Sequence, residues 1–109
     1  MYHNSQGFEQ DFEKAHSWYQ QGCEGGSALG CTNLGFLYHN GQGVEQDFEK
    51  AHSWYQQGCE GGHASGCSNL GVMYHYGQGV EQDFEKARSW YQQGCEGGSA
   101  LGCRNFRVL

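Results

Sequence analysis

The sequence predicts an all-α protein, an α/α solenoid of helix-turn-helix repeats, with one disulfide per repeat. Three observations predict it. The motif "EQDFEKA", followed by "SWYQQGCEGG", occurs three times at a fixed period. Apolar residues recur at helical spacing between glycine-rich breaks. Each copy also carries two cysteines, one on either side of a Gly-Gly pair.

The period comes first. Tyr2, Tyr38 and Tyr74 open equivalent units, so residues 2–37, 38–73 and 74–109 tile one repeat domain over residues 1–109. A period of this length is the mark of a stacked repeat architecture. A two-helix unit cannot bury its apolar face alone, and stacking makes the core continuous.

Each unit contributes two helices. The first, here termed B-type, begins after "EQD". Asp47 suits its N-cap, because the carboxylate can accept from the free N–H groups of the first turn. Glu49 follows where the helix dipole favours negative charge. Phe48, Ala51, Tyr55, Gly58 and Cys59 then recur at helical spacing. Gly61 or Gly62 stops the helix by taking a left-handed conformation. The A-type helix runs from near Ala64 to about Tyr76, with Ala64, Cys67, Gly71 and Tyr74 or His75 along one side. "GQGV" then breaks it. By the same pattern the B-type helix of the first unit covers residues 12–24.

Composition narrows the function classes. The net charge of -6 removes the electrostatic footprint of a nucleic-acid binder. No apolar run approaches the length of a membrane span. Nineteen glycines without the every-third-residue pattern exclude collagen, and 15% aromatic residues argue against disorder.

The cysteine pairs are spaced too widely for a zinc clip, whose two cysteines usually lie two to four residues apart. A redox C-x-x-C is absent. Cys59 falls in the last turn of a B-type helix and Cys67 in the first turns of the following A-type helix. The helices run antiparallel, so both sulfurs stand a similar distance from the turn. That geometry can meet the Cα separation of about 4.4–6.8 Å that a disulfide requires. The expected pairs are Cys23–Cys31, Cys59–Cys67 and Cys95–Cys103; free structural thiols are the main alternative, and metal ligation the weakest. Closing a loop of about eight residues contributes roughly 2.5 kcal/mol on the chain-entropy estimate. Such bonds imply an oxidising, secreted or periplasmic setting. The opening "MYHNSQGFEQ" lacks a basic region followed by an apolar one, so no secretory signal is read there. A fragment of a longer chain is the simplest resolution.

The stretch "NLGFLYHNGQGVEQDFEKAHSWYQQGCEGG", residues 33–62, resembles the Sel1-like repeat, through Asn-Leu-Gly, Gly-x-Gly-Val, Lys-Ala and Trp-Tyr. Three tandem copies make the resemblance specific, and the cysteine spacing is similar to that of the cysteine-rich Helicobacter proteins of that family. The resemblance implies a disulfide across each helix pair and a secreted or periplasmic interaction protein. It also implies, as the alternative, a penicillin-binding protein or slow β-lactamase. The unit boundaries read here fall at the end of an A-type helix, so by the family's convention the chain begins and ends mid-repeat. The last A-type helix departs from the pattern, with Phe106 in the leucine position and Arg107 in place of Gly71.

No catalytic constellation accompanies the repeats. Serine β-lactamases need a serine with lysine three residues on, but Asp11, Asp47 and Asp83 precede Lys14, Lys50 and Lys86 at that spacing. Gly41-x-Gly43 has Gln46 where a dinucleotide fingerprint needs glycine. No cofactor and no metal site is expected. The recurring His3, His39 and His75, and the pair His16 and His52 with Arg88 as third member, read as solvated or loop-packing residues. Trp18, Trp54 and Trp90 read as core between repeats, with Tyr19, Tyr55 and Tyr91. The copies differ mainly on the A-type helices: Leu29 becomes Ser65, and Phe36 becomes Val72. Asn33, Asn69 and Asn105 recur there, each amide offering donor and acceptor. Asn33, Phe36, Asn69, Val72 and Asn105 are therefore the candidate contacts to a protein or extended peptide. An equal alternative makes the asparagines ties between helices. The uncovered ends, Phe12, Trp18 and Tyr19 at one and Phe106, Val108 and Leu109 at the other, imply either self-association or a larger parent protein.

Overall fold

A computed structural model describes residues 4–109, with side-chain surroundings from residue 11 onward. Its described residues form six α-helices and no strand: α1 (Asn4–Glu24), α2 (Ala28–Asn40), α3 (Phe48–Glu60), α4 (Ala64–Tyr76), α5 (Phe84–Glu96) and α6 (Ala100–Val108). Successive helices pack on each other along the chain. The odd-numbered helices are B-type and the even-numbered A-type.

Local chemistry sets the helix limits. Asp47 Oδ1 accepts from Lys50 N at 3.0 Å, and Asp83 caps α5 in the same way. Ser27 and Ser99 cap α2 and α6 by accepting from Gly30 N and Gly102 N. The chain reverses after each B-type helix through Gly26, Gly62 and Gly98, all at φ near +100°, a region closed to most side chains. After α2 the loop is pinned to the helix it leaves. Gln46 Nε2 donates to His39 O and Asp47 N donates to Tyr38 O, both at 2.9 Å. Gln82 and Asp83 repeat these bonds after α4.

The first unit differs from expectation. The B-type helix read as residues 12–24 begins at Asn4, so residues 4–11 are helical where their equivalents form the loop. The loop depends on carbonyls at the end of a preceding A-type helix. No such helix precedes α1 among the described residues, and the segment continues the helix instead.

The central core gathers Ala51, Tyr55 and Cys59 of α3 with Cys67, Leu70 and Met73 of α4. Tyr38, Phe48, Val80 and Trp90 pack around it. The tyrosine series is buried at Tyr55 and Tyr91, both 0% exposed, but only half-buried at Tyr19. The tryptophan series departs from its expected core role in the first unit. Trp54 and Trp90 are half-buried, whereas Trp18 is 71% exposed. Trp90 lies against the core of the preceding unit; among the described residues no unit precedes α1.

Candidate functional site: the A-type helices and their junctions

All three cysteine pairs are bonded as the spacing predicts: Cys23–Cys31, Cys59–Cys67 and Cys95–Cys103, with Cα–Cα distances of 4.6, 4.7 and 4.4 Å. No cysteine is free. Each bond joins the end of a B-type helix to the start of the A-type helix that follows it. A glycine lets the two backbones meet beneath the bond. A Cβ at Gly66 would stand 2.8 Å from both Cys59 N and Tyr55 O.

Junctions between units use different chemistry. The ring of Tyr55 lies on Gly35 of α2, where a Cβ would come within 2.7 Å of Cδ1. Tyr91 lies on Gly71 in the same way, at 2.6 Å. One turn on, His39 Nδ1 meets Tyr55 Oη at 2.9 Å and His39 Nε2 meets Gln78 Oε1 at 2.7 Å. The amide oxygen can only accept, so Nε2 carries the proton and Nδ1 accepts from the tyrosine hydroxyl. His75 Nδ1 repeats the contact with Tyr91 Oη at 3.0 Å. Burial raises the pKa of both tyrosines above the ordinary phenol value, which keeps their hydroxyl donors intact.

Of the two readings given for the histidines, solvated or loop-packing, these contacts favour packing over solvation. His39 and His75 join neighbouring units; His3 lies outside the described residues. His16 Nε2 bonds Tyr38 Oη at 3.0 Å. The His52 ring stands edge-on to Tyr74, with Nε2 buried and unpartnered among the described residues. Burial lowers the His52 pKa from its ordinary value. Arg88 serves as third member because its guanidinium also lies over a ring, 4.3 Å from the centre of Phe106. Recurrence alone could not show this, since the partners of each histidine lie on other helices.

The expected ligand contacts divide. Asn105 lies close enough to the Tyr91 hydroxyl to lower that group's pKa against the rise from burial, so its amide faces the scaffold. Asn33 and Asn69 are half-buried and have no side-chain hydrogen bond among the described residues. Phe36 is 50% exposed and Val72 half-buried. Asn33 and Phe36 line a cleft of about 180 Å³ with Phe12, Ala15, Tyr19, Leu37 and Gln42. Among the described residues no group of three or more His, Cys, Asp or Glu could hold a metal ion. No helix there is long and apolar enough to cross a membrane.

Fold and junctions together define a helical repeat solenoid stapled once per unit. The model of the Sel1 repeat matches residues 1–27, 28–63 and 64–99, and the chain belongs to that family. A crystal structure of a Sel1 repeat protein from Oxalobacter formigenes superposes with a TM-score of 0.81 at 25% identity, over 88% of this chain and 39% of that one. Helicobacter pylori cysteine-rich protein B superposes with a TM-score of 0.75 at 31% identity, covering 82% of this chain and 67% of its own. A protective antigen of uropathogenic Escherichia coli gives 0.75 at 27% identity, over 90% of this chain and 24% of that one. The chain thus spans well under half of two of these three structures. None of the curated protein sequences matches it.

Proposed function

We propose that the chain is an extracytoplasmic binding module that takes an extended peptide along its A-type helices. The reading rests on Asn33 and Asn69, whose half-buried amides have no partner among the described residues. A polar group left half-buried without a partner loses hydration and gains nothing from the fold. A peptide backbone, with one donor and one acceptor per residue, matches such an amide. Phe36 and Val72, one turn further along each helix, supply apolar contact. Three disulfides and the similarity to a cysteine-rich Helicobacter protein support the extracytoplasmic placement.

The test is a ligand selected from a random peptide display library against the intact, oxidised chain. Asn69→Ala should weaken the selected peptide by about tenfold, the loss of roughly 1.4 kcal/mol, with the melting temperature nearly unchanged. A stability loss of about 1 kcal/mol or more, as for a buried hydrogen bond, would make the asparagine scaffold and end the assignment.

A further inference from the structure

The helices α2 and α4 close in the same way on different residues. α2 ends in Asn40, followed by Gly41, and α4 ends in Tyr76, followed by Gly77. Both glycines are left-handed, at φ 65° and 66°, and donate their N–H to Leu37 O and Met73 O. Gln42 N and Gln78 N bond the same carbonyls. Only the first of these ends is chemically labile. An asparagine before a glycine has its side-chain carbonyl carbon within reach of the next backbone nitrogen, and glycine has no side chain to crowd the approach. Asn33, Asn69 and Asn105 precede Leu34, Leu70 and Phe106, whose bulk obstructs it.

We propose that Asn40 is a deamidation site, at which this chain gains a carboxylate on its A-type face and loosens the junction between α2 and α3. The Gly41 backbone nitrogen gives up its proton to solvent and bonds to Asn40 Cγ. The Cγ–Nδ2 bond breaks, and the nitrogen leaves as ammonia with a proton taken from solvent. Water then opens the cyclic imide at either carbonyl. Breaking the bond from nitrogen to Cγ gives aspartate. Breaking the bond from nitrogen to the main-chain carbonyl carbon gives isoaspartate, in which the main chain runs through Cγ. Water is the only co-reactant, and nothing is oxidised or reduced.

The fold sets the pace. Asn40 is exposed, so water reaches it. In the closed helix end both reactants are held: Asn40 Nδ2 donates to Phe36 O at 2.9 Å, and the Gly41 N–H to Leu37 O. The reaction therefore proceeds from the opened last turn, and helix ends open at small cost. The product does not fit back. A carboxylate cannot donate to Phe36 O, and its charge falls at the negative end of the helix dipole. Isoaspartate also lengthens the main chain between residues 40 and 41, which takes Gly41 N and Gln42 N out of register with Leu37 O. The disturbance falls beside His39, whose ring bonds Tyr55 and Gln78 and whose carbonyl accepts from Gln46. Those bonds tie α2 to α3 and to the loop after α4. None of the twelve Asp and Glu residues lies on α2, α4 or α6. Asn40 stands one turn beyond Phe36, so the new carboxylate is the first on that face. The covalent change is read on the free chain and is independent of the peptide reading.

The test incubates the intact oxidised chain at pH 8 and 37 °C and maps its peptides by mass spectrometry over several weeks. Aspartate and isoaspartate should accumulate at residue 40 and not at Asn33, Asn69 or Asn105. The same chain reduced and unfolded in urea needs no opening step and should react about tenfold faster at residue 40. Tyr76→Asn should confer the reaction on the end of α4. Asn40→Asp supplies the charge at once and should lower the melting temperature by about 2–5 °C. In the aged chain, amide hydrogen exchange should speed up over residues 39–47 and stay unchanged over residues 75–83. Three results would each overturn the inference. Residue 40 could react in urea and stay intact in the folded chain, so that the cap seals it. Asn33 or Asn69 could convert as fast, which would remove the role of Gly41. Conversion at residue 40 could leave exchange over residues 39–47 unaltered, so that the junction is indifferent to it.

Discussion

The pair α3–α4, within one unit, and the pair α2–α3, across two units, are both close-packed antiparallel helices, yet they hold together differently. Within the unit, backbone meets backbone at Gly66 and a disulfide closes the turn. Across units there is no covalent link. A tyrosine ring on Gly35 and the His39 bridge to Tyr55 and Gln78 do the joining. In the first kind of pair "GCEGG" and the second cysteine recur unchanged in all three copies. The second kind is fitted by side chains, so it can change in matched pairs. Thr32 bonds His63 Nδ1 at 3.0 Å at one junction, while Ser68 donates to Ser99 at 2.7 Å at the next. His63 thereby starts α4 without a side-chain cap, unlike Ser27 and Ser99. The lesson is that covalent closure fixes the unit, and complementary side chains decide which units stack.

The contrast can be broken most strongly by reduction. The three bonds together contribute about 7 kcal/mol on the loop-entropy estimate, a large part of the about 5–15 kcal/mol that stabilises an ordinary domain. Calorimetry in reductant should show a melting temperature lowered by tens of degrees, or no cooperative transition. An unchanged melt would mean that backbone packing at Gly30, Gly66 and Gly102 holds each unit unaided.

The junction comes next. Gly71→Ala places a methyl group against the Tyr91 ring, and overpacking of this kind costs about 1–3 kcal/mol. That exceeds the gain of up to about 1 kcal/mol from replacing a helical glycine by alanine. Tyr91→Phe should cost less, about 0.5–1.5 kcal/mol for its bond to His75. Denaturant titration of both variants checks the order. Should Gly71→Ala prove neutral, the ring has room to move and the junction is less exacting than its geometry implies.

The smallest effect belongs to His52. Burial lowers its folded-state pKa below the ordinary 6.5, so the fold favours the neutral ring. Its contribution is present above pH 6.5, where the unfolded ring is also neutral, and is lost as pH falls through the folded pKa. Thermal melts at pH 7.5 and pH 5 should therefore show a larger drop for the natural chain than for His52→Phe. Equal drops would move the acid sensitivity to other groups.

What the sequence determined by itself was everything that closes over a short span. The period is read from the string itself, and the Asp47 and Asp83 caps, the Gly62 reversal and the pairing of Cys59 with Cys67 each involve groups at most eight residues apart. Such contacts depend on local geometry, which helix spacing and glycine placement already specify. The tertiary structure decided what depends on a neighbouring unit. Whether a tryptophan is core or surface, as for Trp90 and Trp18, turns on whether a preceding unit is there to cover it. The His39 bridge spans 16 residues to Tyr55 and 39 to Gln78, distances over which residue type gives no direction. The asparagine ladder shows the same limit. Identical in sequence, Asn105 acts on the Tyr91 hydroxyl while Asn33 and Asn69 have no side-chain hydrogen bond among the described residues, because the environment of each rung is set by its place in the stack.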